Sequence, residues 1–174
     1  EYGVSMRKLC EGLCTSRIIS YMEQGERYPE LMLRDRLSAR LGIDPDDYSQ
    51  LLDCQEYDQW LSRQTVVHQL FWDNMPEAAE ALRKYEAGCN REDPLERQFC
   101  LGMKFQIRRR EHAPEKELAE LCRQAAEQTL KSVTMQNLYR KALSVQEINL
   151  LLEKEWYRAE GRRSRFFLAV MEYL

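Results

Sequence analysis

The sequence predicts an all-α protein, and three observations predict it. The 174 residues carry only 7 glycines and 5 prolines, too few to punctuate an all-β chain that turns every eight to twelve residues. Runs rich in Glu, Lys, Arg, Leu and Ala dominate, and these are helix formers. Apolar residues recur at three- and four-residue intervals between capping residues, the period of a half-buried helix. Apolar residues make up 44% of the chain and charged residues 32%, enough for a folded protein with a core of one or two domains.

Short helices separated by tight turns are expected first. Ser5 is an N-cap for a helix through Leu9 and Cys10, which stops at Gly12. Thr15 can cap the next helix, with Ile19, Met22 and Ile18 as its apolar residues and Gly25 as its end. A third helix carries Leu33, Leu37 and Leu41 and ends at Gly42. In Asp44–Tyr48 the helix restarts. Asp44 caps it, Pro45 takes the first position, and Asp46 and Asp47 suit its positive end. Tyr48, Leu51 and Leu52 form its apolar face.

From about Glu56 onward the chain reads as longer helices. One runs from Tyr57 to about Asn74, with Trp60, Val67 and Phe71 on one side. Pro76 starts the next, with Ala78, Leu82 and Tyr85 inward. After a break at Asn90–Pro94, Leu95, Phe99 and Met103 line a third. Pro114 starts a fourth, with Leu118, Leu121 and Ala125. A short fifth is expected from about Thr134 to Ala142. Ser144 and Glu147 form a capping box, and Ile148, Leu152 and Trp156 follow at four-residue steps up to a stop at Gly161. Phe167, Val170, Met171 and Leu174 mark the last helix. Pro76 and Pro114 each open the second helix of a pair and lie 38 residues apart, the spacing of helical hairpins in an α-solenoid such as a tetratricopeptide array. An irregular helical bundle is the competing architecture.

The net charge is −3, with +1 in residues 1–43 and −4 in the remainder, so any nucleic-acid contact is confined to a small region. The six cysteines are scattered, no CxxC pair occurs, and there are two histidines, His68 and His112; no metal site and no cofactor are expected. The thiols read as buried and reduced, in a cytoplasmic protein. No apolar run is long enough for a membrane span, and no signal peptide is evident. Phosphate-binding glycine loops, zinc-protease helices and nucleophile elbows are missing too, so the chain does not read as an enzyme.

The stretch from Met6 to Ile43 resembles a Cro/cI (XRE)-type helix-turn-helix domain. Leu9–Cys10, the turn Gly12–Thr15, Ile18–Ser20 with Glu23, Gly25-Glu-Arg27-Tyr-Pro29 and Leu37–Ile43 match that family's elements in order. The form with Gly-Leu-Cys in the turn looks most like regulators of clostridial-type bacteria. The resemblance covers roughly residues 3–52 and implies a λ-repressor-like fold that binds double-stranded promoter DNA. It makes the Thr15–Gln24 helix the reader, with Ser16, Arg17, Ser20 and Tyr21 outward and Arg27 after it on the phosphate backbone. Tyr21 sits where relatives often have arginine, and Met6 where they usually have glutamine; Arg7 and Lys8 are nearby replacements. Glu23 is structural by the same resemblance.

A helix-turn-helix followed by tetratricopeptide-like repeats resembles peptide-responsive regulators of the Rgg and PlcR type. That resemblance implies a homodimer and a short signalling peptide on the repeats, for which Lys104, Arg108 and Asn137 are candidate contacts. The expected division is a helix-turn-helix domain at 1–53, its first helix outside the sequence, and a repeat domain at 56–174 that continues beyond it; the chain reads as an excerpt of a longer protein. The alternative function is an interaction module whose helix-turn-helix no longer grips DNA.

Overall fold

The computed structural model describes residues 3–44, 54–158 and 164–173. The described residues form α-helices, turns and one short 3-10 helix, with no strand. Three short helices come first: α1 (Met6–Cys10), α2 (Ser16–Glu23) and α3 (Leu31–Arg40). The other six described helices follow as three hairpins: α4 (Cys54–Phe71) with α5 (Met75–Gly88), α6 (Pro94–Arg110) with α7 (Glu115–Thr129), and α8 (Val145–Trp156) with α9 (Arg165–Tyr173).

Local signals set most of these boundaries. The Ser5 hydroxyl accepts from the Lys8 N–H at 3.4 Å and starts α1. Asp93 accepts from the Leu95 N–H at 2.9 Å ahead of Pro94, so α6 starts with its free donors partly satisfied. At α8 the capping box is complete in both directions. Thr15 holds the N-cap position of α2 with extended backbone but makes no side-chain cap bond. The expected restart with Pro45, Asp46, Asp47, Tyr48, Leu51 and Leu52, and the stop at Gly161, lie outside the described residues.

Packing is handed from hairpin to hairpin. Val66, Leu70, Ala78, Leu82 and Tyr85 of the first hairpin share a core with Cys100 and Ile107 of α6. Phe105, Leu118, Leu121 and Cys122 fill the second, where the Tyr157 ring meets Phe105 edge-on at 5.9 Å. Leu130, just past α7, joins Leu138, Ile148, Leu151, Ala169 and Val170 in the third. The first three helices have their own small core of Cys10, Ile19 and Leu37, flanked by Met6, Leu9, Met22 and Leu33.

Three expectations change. On α4 the inward residues are Arg63, Val66 and Leu70, whereas Val67 and Phe71 are exposed and Trp60 is half-buried. The expected helix over Thr134–Ala142 is only a 3-10 turn at Leu138–Arg140. There the Asn137 side chain accepts from the Thr134 N–H and donates to the Ser132 carbonyl, both at 2.8 Å, which competes with helical pairing. On the last two helices Ile148 and Val170 are inward as expected and are joined there by Leu151, Glu155 and Ala169, while Trp156 and Met171 point outward.

Candidate nucleic-acid interface and its anchor

The turn between α1 and α2 is short and depends on Gly12. Its φ of +77° lies in the left-handed region that side-chain-bearing residues avoid. A Cβ there would also come under 3.0 Å from the Thr129 carbonyl oxygen at the end of α7. The turn therefore does two things: it reverses the chain into α2 and seats the three-helix unit on the second hairpin.

On α2, Ile19 is buried and Met22 half-buried against the small core. The other face carries the predicted residues. Ser16, Arg17 and Arg27 are exposed, and Ser20 and Tyr21 are half-exposed. Arg17 and Tyr21, one turn apart, act as a unit. The Arg17 Nε donates to the Tyr21 hydroxyl at 2.7 Å, and the guanidinium lies 5.2 Å from the ring centroid. This leaves the Arg17 terminal nitrogens to project outward as donors. Ser20 turns its hydroxyl toward the Ser16 carbonyl at 3.4 Å and the Met6 sulfur at 3.7 Å, which ties α2 to α1. Met6 is thus a half-buried packing partner of α2. Arg27 and the neighbouring Tyr28 are exposed beyond the helix, and Pro29 is buried behind them. Glu23 is exposed, and its side chain has no hydrogen-bond or ion-pair partner among the described residues.

The candidate peptide contacts are dispersed. Lys104 is exposed on α6. Arg108, one turn on, is bound by Glu117 at 2.6 Å and by Glu111. Asn137 bonds within its own turn. A separate groove of about 280 Å³ lies between α4 and α5, lined by Gln59, Ser62, Lys84, Tyr85 and Glu96 among others. At its edge the Tyr85 hydroxyl donates to the Glu96 carboxylate, and burial pushes the Glu96 carboxyl up.

The feature that sequence reading missed is how the three-helix unit is held. Arg40, at the end of α3, is buried and makes four hydrogen bonds. Its Nη1 donates to the Leu9 and Glu11 carbonyls at 2.7 and 2.8 Å, closing the C-terminal end of α1. Its Nε and Nη2 donate to the two carboxylate oxygens of Glu147 at 3.0 and 2.7 Å. Glu147 is fully buried at the start of α8, where its Oε2 also accepts from the Ser144 N–H at 2.9 Å. Arg36 stands 3.8 Å from Oε1. Lys141 pairs with Glu11, Arg63 with Asp35, and Arg34 with Glu56 around the same junction. The three-helix unit has a separate apolar core, and these polar contacts join it to the hairpins.

Burial pushes the Glu147 carboxyl up, but hydrogen bonds and charge from Arg40, with Arg36 behind, outweigh it and hold the group below the usual range. A depressed folded value means that stability is fully present above the unfolded value of about 4.3 and is lost as pH falls through the folded one. Urea midpoints are therefore expected to drop on acidification below about pH 4. The drop should be shallower in Glu147→Gln, which removes the titrating group; equal slopes would show that Glu147 is not the linked carboxyl.

Among the described residues the cysteines Cys10, Cys14, Cys89, Cys100 and Cys122 are free. Burial pushes the Cys14 thiol up to about 11 and the Cys122 thiol up to about 12, so both are protonated at neutral pH. No group of three or more His, Cys, Asp or Glu among the described residues is placed to hold a metal ion. No helix among them is long and apolar enough to cross a membrane. Compared with family models, with curated proteins and with solved structures, the chain matches none.

Proposed function

We propose that the chain is a DNA-binding transcriptional regulator of the helix-turn-helix type, acting on promoter DNA as a homodimer. The observation that carries this reading is the outward face of α2. Ser16, Arg17 and Arg27 are exposed and Ser20 and Tyr21 half-exposed, and among the described residues their side-chain hydrogen bonds stay within the first three helices. A reader helix needs its outer face free and its inner face fixed, and α2 has both. Arg17 would donate to a guanine edge or a phosphate, with Tyr21 holding its guanidinium in place; Ser16 and Arg27 would take backbone phosphates. The three hairpins would form a tetratricopeptide-like array that binds a signalling peptide, with Lys104, Arg108 and Asn137 as first candidates. The cytoplasm is the compartment this function requires.

The test is DNA binding by the full chain, titrated against salt. Log affinity should fall against log salt with a slope of about −0.9 per neutralised phosphate. Arg17→Ala should weaken specific binding by roughly 5- to 150-fold, the equivalent of about 1–3 kcal/mol for a lost base contact. Absence of binding at low salt to a promoter library removes the regulator reading. That outcome supports the second reading, a protein-interaction module with a helix-turn-helix fold and no DNA grip. One observation favours that alternative: the net charge is −3, and Glu23 and Glu26 stand exposed beside the proposed contact face.

A further inference from the structure

The outer face of α4 carries an apolar stripe that no described residue covers. Tyr57, Leu61, Val67, Phe71 and the adjoining Trp72 are 48, 46, 42, 76 and 67% exposed. Trp60, Gln64 and His68 complete the same face, at three- and four-residue steps. The aromatic rings are ordered among themselves. Tyr57 stacks on Trp60 at 5.7 Å, Phe71 meets Trp72 edge-on at 5.4 Å, and the Trp72 indole donates to His68 at 2.8 Å. The stripe holds no carboxylate, lysine or arginine, and its one imidazole, His68, accepts from Trp72. The exposed side of α5 next to it is ordinary surface, with Glu80, Arg83 and Lys84 in an ion-pair network.

We propose that this stripe is a dimer interface, and that its occupant is the same stripe of a second copy, α4 against α4 in antiparallel register. The sequence of the stripe is symmetric about Gln64. A two-fold axis there sets Tyr57 opposite Phe71, Trp60 opposite His68 and Leu61 opposite Val67. Such an interface requires that when one residue meets another, the reverse contact forms as well. At the axis Gln64 meets its own copy, and a primary amide is a self-complementary donor and acceptor. With no carboxylate, lysine or arginine on the face, two identical copies meet without a fixed like charge opposed to itself, and no fixed charge on it selects a charged partner. Antiparallel helices also set the positive end of one against the negative end of the other.

The area suffices. The three exposed aromatic side chains alone leave about 300–500 Å² in water on each copy. With Leu61 and Val67 added, pairing buries on the order of 1,000 Å² in total, where specific association begins. The interface supplies the dimer invoked for DNA binding but rests on the stripe alone, so it is tested without DNA.

Sedimentation of the full chain from low to high micromolar concentration is expected to show a concentration-dependent species of twice the 20.8 kDa chain mass. Leu61→Asp combined with Phe71→Asp should leave the helical circular dichroism unchanged and hold the chain as a monomer. A Gln64→Cys chain should form an interchain disulfide at the substituted position, identified by peptide mass, whereas Glu80→Cys on α5 should not. The cross-link needs no aspartate variant, so it decides the matter even if the double substitution unfolds the chain. A monomer at high micromolar concentration overturns the proposal. So does a dimer that survives the double aspartate change or lacks the position-64 link. A monomer that still binds DNA with a steep salt slope removes this interface and leaves the regulator reading standing; a dimer that ignores DNA does the reverse.

Discussion

Replacing Glu147 with alanine is expected to lower the free energy of unfolding by about 3–5 kcal/mol. The loss comes less from the missing attraction than from what stays behind. Arg40 is buried with a side-chain exposure of 2%, and without the carboxylate two of its donors face no acceptor. Arg36 adds a second positive charge at the same place. The Ser144 N–H also loses its acceptor, so the start of α8 is weakened in the same stroke. Against a total stability of about 5–15 kcal/mol, this removes from about a fifth to nearly all of it. Urea unfolding followed by tryptophan fluorescence measures it. A double change of Arg40→Met with Glu147→Met should recover part of the loss, because an apolar pair carries no stranded charge. It should not recover all of it, since the Leu9 and Glu11 carbonyls then lack the Arg40 donors at about 1–3 kcal/mol. A single Glu147 change that costs under about 1 kcal/mol would mean that water reaches the pair.

Gly12→Ala is the second large effect. Both Gly12 and Gly25 have positive φ, +77° and +71°, so an alanine at either costs about 1–2 kcal/mol of backbone energy. At Gly25 nothing lies within 4 Å of the new methyl. At Gly12 the methyl meets the Thr129 backbone carbonyl, which cannot rotate away as a side-chain end would. Overpacking of this kind adds about 1–3 kcal/mol. The expected fall in Tm is about 5–15 °C for Gly12→Ala and about 2–8 °C for Gly25→Ala. Equal falls would place Gly12 away from Thr129, and the three-helix unit would then not be seated as described.

Much of the fold was legible because its signals are local. Ser5, Asp93–Pro94 and the Ser144–Glu147 box mark starts within a few residues of the groups they satisfy. Ala78, Leu82 and Tyr85 could lie on only one face, and they do. The α4 helix was harder, because its apolar residues come in adjacent pairs, Trp60–Leu61, Val66–Val67 and Leu70–Phe71. Either phase satisfies a helical period. Arg63 breaks the tie by facing inward to Asp35 and Met32, and a charged residue is the last one a periodicity argument would place inside. The candidate reader face was legible from α2 itself. Its anchor was not: in the sequence Arg40 reads as a surface charge and Glu147 as a local capping-box residue, and only the tertiary fold makes them partners.

That partnership has a consequence for how the protein is made. Arg40 and Glu147 are 107 residues apart. At a synthesis rate of about 5–20 residues per second, the carboxylate emerges roughly 5–20 s after the guanidinium. During that interval the first three helices have their small core of Cys10, Ile19 and Leu37 and their ion pairs to α4, but not the buried Glu147 carboxylate. The nascent chain thus passes through a stage in which the three-helix unit is present without its buried anchor, and the last hairpin sets the moment at which that anchor closes.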